Sequence, residues 1–101
     1  MVYTIFVGAY DDHITTLKFD PTAGTLEVTG KTPAGSNPSW LTTHPINKTL
    51  VFASNETDEG KILMFENLDG ELKLLQSAWS GGAGTAHFLV LENEIVTGNV
   101  S

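Results

Sequence analysis

The sequence predicts an all-β fold built from antiparallel four-stranded units, the blades of a β-propeller. Three observations predict it. Apolar residues fall in short bursts rich in Val, Ile, Phe, Thr and Leu; each burst is fenced by Gly, Pro, Asn or Asp; and the pattern recurs about every 45 residues. No stretch carries the apolar period of an amphipathic helix, which separates this array from helical repeats.

The first strand is expected over Tyr3 to Ala9, and the second over His13 to Phe19 after the acidic break Asp11-Asp12. Asp20-Pro21-Thr22-Ala23-Gly24 then turns the chain into a third strand, Thr25 to Lys31. A stretch rich in Pro, Gly and Asn leads to the fourth, Pro38 to Thr43, and His44-Pro45 breaks it from the fifth, Leu50 to Asn55. The loop Glu56 to Gly60 precedes the sixth, Lys61 to Glu66. Leu68-Asp69-Gly70 repeats the earlier hairpin chemistry, with Gly at the positive-φ corner, and opens the seventh, Leu72 to Trp79. Gly81, Gly82 and Gly84 read as a linker to the eighth, Ala86 to Leu91, and Glu94 to Thr97 is the ninth.

Internal repetition sets the units. Thr4 to Tyr10 aligns with Thr49 to Asn55 at an offset of 49 − 4 = 45, and Glu94 opens a third copy. Asn37-Pro38-Ser39-Trp40 aligns with Gly84-Thr85-Ala86-His87 at an offset of 84 − 37 = 47. The expected units are residues 1–36, a blade lacking its innermost strand; 37–83, a complete blade; and 84–101, the start of a third. A four-stranded blade has two apolar faces and buries neither alone, so the outermost faces of so short an array, and its open strand edges, are a route to self-association.

Composition narrows the function. Twelve acidic against five basic residues give a formal charge of −7, a field that repels nucleic acid and anionic membrane. Cysteine is absent, so neither disulfides nor Cys-ligated metal is expected, which fits a reducing cytosol. Met1 to Tyr10 carries no basic leader, and no apolar run approaches the length of a membrane helix. Sequons at Asn47, Asn55 and Asn99 read as chance triplets.

Val7-Gly8-Ala9-Tyr10, Phe19-Asp20-Pro21 with Gly24-Thr25-Leu26, Asn37-Pro38-Ser39-Trp40-Leu41-Thr42-Thr43-His44-Pro45 and Ala53-Ser54-Asn55-Glu56 together resemble the start of the lactonase propeller family. That family includes bacterial 6-phosphogluconolactonases and fungal carboxy-cis,cis-muconate cyclases. The resemblance implies a cytoplasmic seven-bladed ring, of which about two blades are present here. It also implies a small-molecule lactone or carboxylate substrate and chemistry without a metal or organic cofactor. The cyclases' catalytic His, Arg and Glu cluster belongs to later blades, so no catalytic residue carries over and this stretch alone is expected to be inactive. A non-catalytic interaction module is the alternative function, since propellers serve widely as binding platforms.

Lactone hydrolysis needs a base and donors for the developing oxyanion. The five basic residues are all lysines, and the missing arginine fork argues against a self-sufficient anion site. His87 opens the innermost strand of the third unit and is the candidate ligand contact there, against the alternative of a satisfied structural histidine. Asn55 and Glu56, with Tyr10 at the matching place one repeat earlier, are candidate pore-mouth contacts, or else turn residues bonding nearby backbone. His13 and His44 read as solvated or turn-capping, and Trp40 and Trp79 as packing anchors between blades. Glu56, Asp58 and Glu59 lack the six or more spaced oxygen ligands of a calcium loop, so no metal site is expected.

Overall fold

The computed structural model describes residues 1–99. The third sequon, Asn99-Val100-Ser101, therefore falls partly outside the described residues, as does the end of the third expected unit.

Among the described residues nine strands form, all antiparallel, in three sheets. β1 (Tyr3–Val7), β2 (His13–Asp20) and β3 (Thr25–Pro33) make the first sheet; β4 (Trp40–Thr43), β5 (Leu50–Asn55), β6 (Lys61–Leu68) and β7 (Glu71–Trp79) the second; β8 (Thr85–Val90) and β9 (Ile95–Asn99) the third. Each strand pairs with its sequence neighbour, the order that short turns enforce. The β6–β7 turn has Asp69 and Gly70 both at positive φ, 55° and 94°, the pair a twisted two-residue hairpin requires. Among the described residues there is no helix, so none is long and apolar enough to cross a membrane.

Register corrects the repeat spacing. In the β2–β3 pair a bulge falls between Thr16 and Leu17, and in the β6–β7 pair between Met64 and Phe65. Those bulges superpose Thr16 on Met64, and their partners Phe6 and Phe52 lie 52 − 6 = 46 residues apart, not 45. One residue matters because a slip of one turns every side chain to the opposite face. By the same pairing Trp40 is matched to Ser54 and His87 to Gly98, so the offset of 47 between Trp40 and His87 stands.

Two apolar layers join the sheets. Between the first and second lie Ile14, Ala34, Val51, Ala53, Leu63 and Phe65, flanked by Phe6, Leu41 and Leu72. Between the second and third lie Phe52, Ile62, Phe88 and Val90, flanked by Leu50 and Met64. Odd-numbered residues of β5 face one way and even-numbered the other, so both faces of the second sheet are buried, as its pattern in Leu50–Asn55 shows.

Trp79 is a correction. It was expected to anchor packing, but it ends the outer strand β7 and is 71% exposed. Neither of the two apolar layers includes it. Trp40 does bridge sheets: its Nε1 donates to the Phe88 carbonyl at 3.1 Å.

Ser54 sits fully buried with no hydrogen-bond partner for its hydroxyl among the described residues. An unsatisfied buried hydroxyl costs about 1–3 kcal/mol, so Ser54→Ala should leave stability unchanged or raise it by about 1 kcal/mol in urea unfolding. A loss of that size instead would mean that the hydroxyl is bonded in solution.

Candidate functional site

One end of the stack gathers the chemistry. There the β1–β2 and β5–β6 connections meet the starts of β4 and β8. Tyr10, from the first connection, donates its phenol O–H to Glu56 Oε2, and Ser39, just before β4, donates its hydroxyl to Glu56 Oε1 at 3.0 Å. Both carboxylate oxygens of Glu56 are thus engaged by donors from two different sheets' connections.

Asn37 is the hinge of this cluster. It holds a left-handed backbone, φ 54°, a conformation Asn tolerates better than most non-glycine residues. Its N–H donates to the Asp11 carbonyl at 2.7 Å, its own carbonyl accepts from the Glu56 and Ser39 amides, and its Nδ2 donates to the Glu56 carbonyl at 3.3 Å. The sequence named Asn37 and Ser39 only as members of a repeated motif; the signal for their role was that motif's position before an inner strand.

Asn55 is buried, and its Nδ2 donates to the carbonyls of Ala34 at 2.7 Å and Ser36 at 3.0 Å. It ties down the connection from the first sheet to the second, and its donors are spent there rather than aimed at a ligand. An open depression of about 440 Å³ beside it is rimmed by Ser36, Thr57, Asp58, Glu59 and Lys61. A more apolar cleft of about 340 Å³ runs along β7 toward Ile95 and Thr97, and none of the four candidate residues lines it.

His87 stands apart from Glu56. Its ring meets Trp40 edge-on, the ring centres 4.3 Å apart, and its side chain is exposed. Trp40 and His87 hold equivalent places on successive first strands of their sheets, so the repeat itself sets them side by side. Tyr10 and Glu56 are thus brought together, Asn55 turns its amide to the chain before β4, and His87 meets Trp40.

His44 lies at the other end. Its Nδ1 accepts from the Ile46 and Asn47 amides, which is the turn-capping role expected, and its Nε2 meets the Glu92 carbonyl at 3.0 Å. His13 Nδ1 pairs with Asp12 Oδ1 at 3.0 Å, and that bond holds the Asp12 carboxyl below its ordinary range. Asp11, Asp12 and His13 bring their ligand atoms within 4.8 Å, a cluster that its internal hydrogen bonds account for. The glycine run after β7 is more than a linker: Gly84 N–H donates to the Thr57 carbonyl and Ser80 Oγ reaches Thr85 Oγ1 at 2.5 Å.

Glu56 raises the Tyr10 phenol above its ordinary value, first through the hydrogen bond, then through lost solvation and charge. The sign follows: the bond's contribution is complete below the unfolded tyrosine value and is lost as pH rises through the higher folded one. Tyrosinate absorbance should show one tyrosine titrating late, and Tyr10→Phe should remove that phase. Glu56→Ala, which removes both acceptor and charge, should bring it back toward the ordinary range; no change on Glu56→Ala would dismiss the contact.

The sequence matches the family described as "Lactonase, 7-bladed beta-propeller" over residues 4–99. No curated protein and no solved structure matches it.

Proposed function

The chain belongs to the seven-bladed lactonase β-propeller family, and from that premise we propose that its sheets are blades whose shared end forms part of the mouth of a lactone-binding channel. The blade divisions are residues 1–36, 37–83 and 84–101. The observation that carries the reading is the edge contact of Trp40 with His87, an aromatic face and an imidazole on successive innermost strands. Glu56, held by Tyr10 and Ser39, is a positioning residue that fixes the mouth, and Asn55 is its buried brace.

The ligand class is a sugar- or muconate-derived lactone, and the imidazole of His87 is the base candidate. Catalysis also needs cationic or N–H donors at the oxyanion, and the chain has five lysines and no arginine. Without an arginine fork, the residues described here are read as binding the lactone weakly and not turning it over. The same shortage of arginine favours the second reading, a non-catalytic interaction module in the cytoplasm.

Trp79→Phe leaves Trp40 as the one indole and, at an exposed site, should not disturb folding. In that variant, saturating 6-phosphogluconate or muconolactone should alter Trp40 fluorescence, and His87→Ala should abolish the response. No response to either ligand would sink the channel-mouth reading; lactone turnover at enzymatic rates would sink the claim that the chain is inactive alone.

A further inference from the structure

We propose that the β6–β7 turn is a site of spontaneous covalent modification, aspartate to isoaspartate at Asp69, and that the side chain of Asn67 sets its rate. The site lies within one hairpin of the second sheet, and the proposal does not depend on the lactone reading.

The chemistry asks for a free carboxyl beside an unhindered amide. The nitrogen of the following residue forms a bond to the aspartyl Cγ, its proton and the carboxyl hydroxyl leave as water, and a five-membered succinimide closes. Water then reopens the ring. Hydrolysis of the Cγ–N bond restores aspartate, whereas hydrolysis at the main-chain carbonyl leaves the chain running through Cγ as isoaspartate. The water lost is regained, so no oxidant, reductant or further reactant is needed.

Of the five aspartates, Asp69 alone precedes glycine. The others precede Asp12, His13, Pro21 and Glu59, where a side chain crowds the attacking nitrogen or, at Pro21, no N–H exists. The carboxylates of Asp11, Asp12 and Asp20 are also occupied, each in a hydrogen bond with a nearby group. That of Asp69 accepts none among the described residues, and Asp69 is exposed at the tip of the turn.

One contact opposes the reaction. Gly70 N–H donates to Asn67 Oδ1 at 2.8 Å, and Asn67 is itself anchored, its N–H donating to the Thr49 carbonyl at 2.7 Å. To reach Cγ the Gly70 nitrogen must leave that bond, so the reaction runs from a locally opened turn and its rate follows the opening equilibrium.

The product does not fit the turn. Asp69 and Gly70, at φ 55° and 94°, close a hairpin whose flanking pair is Leu68 with Glu71. Isoaspartate adds one carbon to the main chain between that pair. The tip also touches the first sheet, since Thr4 Cγ2 lies 3.9 Å from where a Cβ on Gly70 would stand. The modified chain should therefore unfold at a lower urea concentration than the unmodified one.

The test keeps the full chain folded and warm at neutral pH and follows each aspartate by peptide mapping, with fragmentation that distinguishes the isoaspartyl linkage. Isoaspartate should appear at Asp69 ahead of the other four. Asn67→Ala should speed it about three- to tenfold, the shift in opening that one hydrogen bond sets, while Asn67→Asp, which keeps an acceptor oxygen, should stay near the wild-type rate. In urea strong enough to unfold the chain all three should react alike. A comparison without any variant makes the gate independent of folding defects: the slowing of the folded wild type relative to the unfolded chain should match the protection of its Gly70 amide against hydrogen exchange. Isoaspartate forming first at another aspartate overturns the site. A folded Asn67→Ala chain that reacts at the wild-type rate, or a Gly70 amide that exchanges without protection, overturns the role of Asn67.

Discussion

Phe65→Ala should cost about 3–5 kcal/mol, against the roughly 5–15 kcal/mol that a domain of this kind has in total. Phe65 is 0% exposed and lies on β6 opposite Val51, in the layer that joins the first sheet to the second. Truncation removes the ring's transfer free energy and leaves a cavity, and Ile14 and Ala34 on the facing side are held by their own sheet and cannot collapse fully into it. Urea unfolding is the measurement. Leu74→Ala is the control: Leu74 pairs directly with Phe65, yet it is half exposed, and its loss should stay within about 1 kcal/mol. Equal losses at the two positions would mean that the layer between the sheets does not form in solution.

Gly60→Ala should be nearly as damaging for the opposite reason, too much matter rather than too little. Gly60 is buried where the second sheet hands over to the third, and its carbonyl accepts from Ser80 N–H at 2.8 Å and Ser80 Oγ at 3.0 Å. A methyl group there would overlap the Gly82 carbonyl oxygen, Thr85 Oγ1 and Ser80 Oγ, two side-chain oxygens and one backbone oxygen already committed to each other. Overpacking of this kind costs about 1–3 kcal/mol, and relief requires moving the chain that leads into β8. Gly81→Ala makes the contrast: a methyl there meets open space and suffers only from a φ of 96°. If Gly60→Ala proved the milder of the two, the close approach of these connections would be wrong.

The strands were legible because their signals are local. Asp20 through Gly24 and Leu68-Asp69-Gly70 announce hairpins by residue type, and among the described residues nine strands form where nine bursts stand. β3 runs two residues further than expected, to Pro33, because Thr32 and Pro33 pair with Ile14 and His13 across the sheet. The end of a strand depends on its partner, and the partner is not written beside it.

The candidate residues divide along the same line. Tyr10, Asn55 and Glu56 were marked by position at strand ends, but nothing local says that Asn55 spends its amide on Ala34 and Ser36 while Glu56 receives Tyr10. Those partners lie 21, 19 and 46 residues away. Ser39 and Asn37 became visible only once the sheets had brought their connections together.

By itself the sequence determined the all-β class, the hairpin turns, the repetition and the family, because each is carried by residue type at short range or by comparison of one stretch with another. Tertiary structure decided the rest. It set the offset between the first and second sheets at 46 rather than 45 through a pair of bulges, left Trp79 in solvent outside both apolar layers, and made Glu56 a shared acceptor. Which face of a strand is buried, and which of its polar groups is free, depends on what packs across it, and that is fixed only when distant segments meet.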